Sequence, residues 1–235
     1  MNPLVKGALG YLPGLLGYEI RQKQPEAAES VLARAPLGTV LDIGANIGQF
    51  AIGMRKANPD ATIHSFEPIP NIEQRLREAF KGDGRFFSHR IAVSDVEGVA
   101  KFEVNKSSAS SSLLSLGKVH KETYPYLSVV EEIEVPVTTL DRWAAGRQLI
   151  NPLLVKLDIQ GNELAALRGA TAVLASADYV LSEVNFAAMY EGQPSFDDLY
   201  DVLTSAGFKF IDLFASKRDS KSLRCLFGDM LFAKE

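Results

Sequence analysis

From Pro36 onward, short β-branched apolar runs alternate with amphipathic stretches, the pattern of a parallel sheet whose strands are joined by crossover helices. The expected class is therefore α/β. The first run, Thr39 to Ile43, ends in a glycine-containing turn and feeds a helix over Gly48 to Ala57, which Asn58-Pro59 stops. A second strand spans Ala61 to Phe66. Pro68 and Pro70 then start a helix whose apolar positions Ile72, Leu76, Ala79 and Phe80 fall at helical spacing, and a third strand is expected near Arg90 to Val93.

The alternation breaks between residues 97 and 138. Val99 to Val104 and Glu131 to Val137 alternate in the manner of antiparallel strands, so this region reads as a β-hairpin and loop inserted between strands three and four. Between its strands, Asn105 to Leu116 carries six serines and no helical period, which reads either as a linker or as a source of hydroxyl donors beside a ligand. Ser110, Ser111 and Ser112 are substrate-binding candidates on the second reading. The regular pattern resumes with Leu153 to Ile159, a continuous apolar strand of the kind buried on both faces. A helix from about Asn162 to Leu174, a strand from Tyr179 to Val184, a helix from Phe196 to Ala206, and strands Phe208 to Phe214 and Asp229 to Ala233 complete the reading. The last two, joined by the polar segment Ala215 to Cys225, form a hairpin, so the sheet is expected to be mostly parallel with an antiparallel strand at its C-terminal end.

With 235 residues, 46% of them hydrophobic, and no second core or internal repeat, the pattern points to one domain over 36–235, preceded by an arm over 1–35. The arm holds Lys6 and an apolar run from Gly7 to Tyr18 broken by Pro13 and four glycines. It is too short and interrupted to span a bilayer and reads as an irregular packed arm, or as a lid or contact segment. A formal net charge of −4 gathers no phosphates, which argues against a nucleic-acid partner. The lone Cys225 excludes an internal disulfide and a cysteine zinc cluster, and fits a reducing, cytoplasmic compartment. Oligomeric state is left open, a homodimer included.

The most informative segment is Val40-Leu41-Asp42-Ile43-Gly44-Ala45-Asn46-Ile47-Gly48. A strand delivers an acid at its carboxyl end, and a Gly-x-Asn-x-Gly turn then opens a helix, in the place where open α/β sheets bind ligands. The turn lacks the Gly-x-Gly-x-x-Gly spacing of dinucleotide sites, and Asp42 would repel a pyrophosphate. A cationic ligand suits it better, and S-adenosylmethionine, with sulfonium and amino groups, meets that preference. Twenty-five positions later the second strand ends in Phe66-Glu67-Pro68, which places Glu67 to accept the two ribose hydroxyls. The third strand ends in Ala92-Val93-Ser94, where Ala92 and Ser94 are candidates for contact with adenine.

These residues resemble a known family, the FkbM-type S-adenosylmethionine-dependent methyltransferases, from about Val40 to Phe232. The resemblance is carried by the Asp42-to-Gly48 turn, Phe66-Glu67-Pro68, Ile91 to Ser94, Thr139-Leu140-Asp141 and the loop Ser110 to Leu113. Most specific is Lys156-x-Asp158-x-Gln160-Gly161-x-Glu163 with Leu167 to Ala170 behind it. The resemblance implies a Rossmann-like seven-stranded methyltransferase sheet, S-adenosylmethionine as cofactor, and methylation of an oxygen on a sugar, glycan or secondary-metabolite scaffold. It does not extend over the first 35 residues.

Read chemically, Lys156 and Asp158 lie at i and i+2 on a buried strand and must be paired with each other or with a ligand. Asp158 is the leading candidate for general base, or for an acceptor that orients the substrate hydroxyl. Gln160 is a cofactor-side candidate, and Glu163 is either a substrate contact or a capping group of the following helix. Glu183 repeats the strand-end placement one strand further on and, with Lys156, joins Asp158 as a catalytic candidate able to share the acceptor's proton, with Asn185 and Tyr190 as substrate-side candidates. Asp158, Glu183 and Asn185 would make a hard-ligand set for Mg²⁺, which the motif does not require and the reading does not expect. His120 is a candidate base if the serine loop folds over the acceptor. His64 and His89 read as packed residues, and Tyr124, Tyr126, Tyr190 and Phe186 as a candidate aromatic floor. The alternatives are N-methylation of a small amine, NAD-dependent oxidoreduction, nucleic-acid methylation, which the net charge opposes, and non-catalytic nucleoside binding.

Overall fold

The computed structural model describes residue 28 and residues 32–105, 111–114, 117, 129–219 and 222–234. Five parallel strands, β1 (Thr39–Ile43), β2 (Thr62–Phe66), β3 (Phe86–His89), β7 (Leu153–Leu157) and β8 (Tyr179–Asn185), join an antiparallel pair, β9 (Phe208–Arg218) and β10 (Cys225–Lys234). Their order is β3-β2-β1-β7-β8-β10-β9. The chain order reverses at β1 and β7, so the turn after β1 opens at the switch point where such sheets bind ligands.

Six helices are described: α1 (Gln49–Ala57), α2 (Pro70–Ala79), α3 (Leu140–Ala144), α4 (Glu163–Arg168), α5 (Thr171–Ser176) and α6 (Phe196–Ser205). Alternating residues of the central strands face opposite layers. Leu41, Ile43, Val155 and Leu157 pack with Leu167, Leu174 and Leu203 of α4, α5 and α6. Val40, Leu154 and Leu181 pack with Ala51 and Met54 of α1 and Leu76 of α2. Both faces are covered, which accounts for the continuous apolar character of β7.

The insertion forms a separate three-stranded sheet in the order β4-β6-β5, from Ala92–Val93 (β4), Gly98–Asn105 (β5) and Val129–Thr138 (β6). The expected antiparallel pair is β5 and β6, with Gly98 opposite Val137. The expected third strand near Arg90 to Val93 is corrected. Phe86–His89 supplies the third strand of the large sheet, with Phe86 beside Ile63, whereas Ala92–Val93 leaves that sheet to run parallel to Val137–Thr138. The single helix expected over Asn162 to Leu174 is also corrected to two. It breaks at Gly169, where a Cβ would lie 2.2 Å from the Ser94 carbonyl oxygen. β9 and β10 each run about four residues further into the supposed polar connection than expected, with register shifts along the pair.

Of the arm over 1–35, only Ala28 and residues 32–35 are described. Ala28 and Leu32 are buried in the α1 layer. Asn58 ties that segment down, its amide donating to the Leu32 carbonyl at 3.4 Å and its Oδ1 accepting from Leu37 N at 3.0 Å.

Candidate active site

At the carboxyl ends of the parallel strands lies a cavity of about 520 Å³. Its wall takes Gly44, Ala45 and Asn46 from the turn after β1, Glu67 and Pro68 from the end of β2, and Lys156, Asp158 and Gln160 from β7 and its loop. Glu183 of β8, Asp229 of β10, Phe102 of β5, Ser111 and Ala28 also line it.

Asp42 stands directly beside Lys156 and Ser65 in the strand register. That register produces a buried ion pair: Lys156 Nζ lies 3.1 Å from Asp42 Oδ1 and 3.7 Å from Asp158 Oδ2, and donates to the Gly44 carbonyl at 3.0 Å. Burial works against the lysine's positive charge, but the two carboxylates outweigh it and hold its proton affinity above the ordinary value. Asp42 itself is fully buried, accepts from Ser65 Oγ at 3.2 Å, and is absent from the cavity wall. Its charge is therefore spent on Lys156 behind the turn, rather than presented to a ligand.

Gly44 has a positive φ of 80°, and a Cβ there would lie 1.9 Å from the Asp158 carbonyl oxygen. Only glycine lets the turn and the β7 loop close on each other in this way. Gly48 also has positive φ, but a Cβ there would meet Leu76, so it serves helix packing and does not face the cavity. Glu67 accepts from Asn46 N at 3.0 Å and from Ile69 N at 2.9 Å, which fixes its carboxylate at the cavity edge. Burial pushes its pKa up to about 7, opposed by those two backbone donors.

Beyond Asp158 the chain turns through Gln160, whose φ of 58° is left-handed. Its amide nitrogen donates to Asp158 Oδ1 at 2.7 Å and approaches both Glu183 oxygens at 3.4 and 3.5 Å, and its amide oxygen accepts from the Tyr190 hydroxyl. Asn185, 8% exposed, stands behind Glu183 and donates to it at 3.4 Å. Burial, with Asp158, Glu163 and Asp229 nearby, raises the Glu183 pKa well above the ordinary carboxylate range. Asp229 lies opposite Glu183 in the β8/β10 pairing and on the cavity wall. Sequence reading missed it, because an acid in a C-terminal hairpin carries no motif.

Other candidates fall elsewhere. Glu163 is 2% exposed and accepts from Ile159 N and Gly161 N, each at 2.9 Å, so it ties down the loop before α4. Asn162 holds the N-cap position and no side chain caps the helix, and Glu163 is absent from the cavity wall, so both roles expected of it are corrected. Ser112 is fully buried, so the substrate contact expected of it is corrected. Its hydroxyl donates to the Gln160 carbonyl at 2.8 Å and ties the insertion to the β7 loop. Ser111 does line the cavity, while its hydroxyl accepts from Asn105 N at 2.9 Å. Phe66 is core, although its carbonyl holds Gly44 N and Ala45 N. Ala92 borders a small notch of about 20 Å³ that shares Gly44 and Pro68 with the cavity and is closed by Ile91, Leu113 and Asn162. Ser94 is buried behind it and accepts from the Asn162 amide at 3.2 Å. Ser110, His120, Tyr124 and Tyr126 lie outside the described residues. Phe186 stacks on Phe196, 5.5 Å between centroids, away from the cavity wall. His64 and His89 pack on each other and on Trp143.

Residues 42–210 match the family model described as the methyltransferase FkbM domain. The chain belongs to the FkbM methyltransferase family. Among curated relatives, it is 27% identical to the 2-O-methyltransferase NoeI of Sinorhizobium fredii over 74% of each chain. It is 30% identical to the hexuronic acid methyltransferase AglP of Haloferax volcanii over 61% of this chain and 54% of that one. The 31-O-demethyl-FK506 methyltransferase FkbM of Streptomyces tacrolimicus is 25% identical over 75% of this chain and 74% of its own. The protein is thus a methyltransferase, and its cavity occupies the strand-end position where such sheets bind ligands. Among the described residues, no helix is long and apolar enough to cross a membrane.

Proposed function

We propose that the protein transfers a methyl group from S-adenosylmethionine to a hydroxyl of a sugar, glycan or natural-product scaffold. The observation that carries this reading is that Glu67 and Asp158, on strands two places apart, open into one cavity. The relatives' names support the same acceptor class: a 2-O position, a hexuronic acid and the 31-O position of FK506.

The donor set suits the cofactor. Each Glu67 oxygen already accepts one backbone N–H and keeps a further lone pair, and the residue lines the cavity, which suits two ribose hydroxyls that each donate. Gly44 and Asn46 bring main chain close beside it, and the notch at Ile91 and Ala92 is apolar enough for a purine edge. S-adenosylmethionine supplies an electrophilic methyl on a sulfonium. Asp158, with a side chain 39% exposed, is placed to accept a hydrogen bond from the acceptor hydroxyl and to take its proton as the oxygen gives up its lone pair. An alcohol is a far weaker acid than Asp158, so proton transfer accompanies attack and does not precede it. Glu183, whose proton affinity is raised by burial and by its acidic neighbours, stands beside Asp158 as a further hydrogen-bonding group. We expect transfer to persist in EDTA, because the Gln160 amide donates into the space between Asp158 and Glu183 that a cation would need. The acceptor is read as a small molecule or glycan and not a nucleic acid, given the net charge of −4, and the compartment as the cytoplasm, given one cysteine.

The test is methyl transfer from labelled S-adenosylmethionine to a panel of sugars, glycans, polyketide alcohols and amines. Labelled methyl ethers support the reading. Transfer to amines alone would replace it with N-methylation.

A further inference from the structure

Gln160 is held on every side. Its backbone is left-handed at φ 58°, a conformation that costs a non-glycine residue roughly 1 kcal/mol or more and persists where the surroundings over-determine it. Ser112 Oγ grips its carbonyl at 2.8 Å. Tyr190, 3% exposed, donates its hydroxyl to Gln160 Oε1 and packs its ring on Gly161, where a Cβ would come within 3.1 Å of the tyrosine. The Tyr190 backbone is in turn fixed by Gln193, which accepts from Tyr190 N at 2.7 Å and donates to the Ala187 carbonyl at 2.8 Å.

The chemistry sets the direction of this chain of contacts. An ionised carboxylate only accepts, so the amide nitrogen of Gln160 must face Asp158 and its oxygen must face the donor on the other side. We infer that Tyr190 is a positioning residue for methyl transfer: its hydroxyl fixes the Gln160 amide, which in turn holds Asp158 Oδ1 at 2.7 Å in the orientation that receives the acceptor hydroxyl. Asp158 is thereby held from two sides, by Gln160 on Oδ1 and by the Lys156 ammonium, 3.7 Å from Oδ2. The inference rests on the reading of Asp158 as the group that meets the acceptor.

Tyr190→Phe removes one oxygen and leaves the ring packed on Gly161, so the fold is expected to survive. Two measurements apply. The first is the side-chain amide resonance of Gln160 in the unliganded protein, assigned by its loss in Gln160→Met. In Tyr190→Phe it should shift, and it should also shift in Asp158→Asn, where the acceptor becomes neutral. The second is a cycle of Tyr190→Phe, Gln160→Met and the double variant. Each single variant is expected to lower the transfer rate about tenfold with the KM for S-adenosylmethionine within about twofold, and the double variant to be no slower than Gln160→Met alone. An unmoved amide resonance in Tyr190→Phe, or rate losses that multiply in the double variant, would overturn the inference. If Asp158→Asn kept the full rate while the resonance still moved with Tyr190, the coupling would stand and the role given to Asp158 would fail.

Discussion

Lys156 Nζ lies 3.1 Å from Asp42 Oδ1, at in-register positions of neighbouring parallel strands, and it is this pair that sets the floor of the site. The strand register places both side chains on one face, so a lysine on the cavity wall is neutralised by the acid of the adjacent strand. Its donation to the Gly44 carbonyl couples the pair to the turn above it.

Removing one partner should therefore be costly. Lys156→Met leaves the fully buried Asp42 carboxylate without its counter-ion, and a loss of about 3–5 kcal/mol in urea unfolding is expected. The double variant Asp42→Leu with Lys156→Met should recover much of that loss while leaving S-adenosylhomocysteine binding weak, because the contact with the Gly44 carbonyl is gone. Equal destabilisation of the single and double variants would contradict this.

Gly44→Ala combines a positive φ with a Cβ 1.9 Å from the Asp158 carbonyl oxygen. The turn after β1 and the loop after β7 must separate to admit it. A stability loss of at least ~2 kcal/mol should accompany loss of measurable cofactor binding by calorimetry. Gly82→Ala, which also has positive φ but open space around it, should show only the smaller backbone cost.

The histidine pair makes the fold sensitive to acid. Burial pulls His64 and His89 down from 6.5 to about 4, with Arg147 adding to both and His89 adding to His64. A depressed histidine pKa means that the unfolded chain takes up protons which the native state refuses. This contribution to stability is complete above pH 6.5 and is lost as the pH falls toward 4. The raised pKa of Glu67 works in the opposite sense, so the histidine contribution is read as a difference: the melting temperature of His64→Phe relative to the wild type should be constant from pH 7 to 8 and rise as the pH falls from 6.5 to 4. A difference that stays constant down to pH 4 would show that the carboxylates alone set the acid response.

Much of this was legible beforehand because strand periodicity and glycine turns are local. β1, β2, β7 and β8, the antiparallel end and each strand of the inserted pair follow from patterns that lie within about ten consecutive residues. Tertiary choices were not legible. Ala92–Val93 is as apolar as a sheet strand, yet the register of β2 selects Phe86–His89, and Val137 draws Ala92 into the small sheet. The break at Gly169 depends on the Ser94 carbonyl, far away in sequence. Within the site, Glu67, Asp158 and Glu183 were readable as acids at strand ends. Asp229 was not, since its position depends on pairing with Glu183. Ser112 and Glu163 carry the residue types of ligand contacts, but the loops bury them against backbone groups.

A nucleoside methyl-donor site anchored by Glu67 is tested by calorimetric titration with S-adenosylhomocysteine and NAD⁺ between pH 6 and 8. Ionised Glu67 is the form that accepts two hydroxyls, and its pKa is about 7. S-adenosylhomocysteine affinity should therefore strengthen as the pH rises through 7 and then level off, while Glu67→Ala should bind at least ~10-fold more weakly with no such dependence. NAD⁺ binding in preference to S-adenosylhomocysteine, or affinity in Glu67→Ala equal to that of the wild type, would contradict the account.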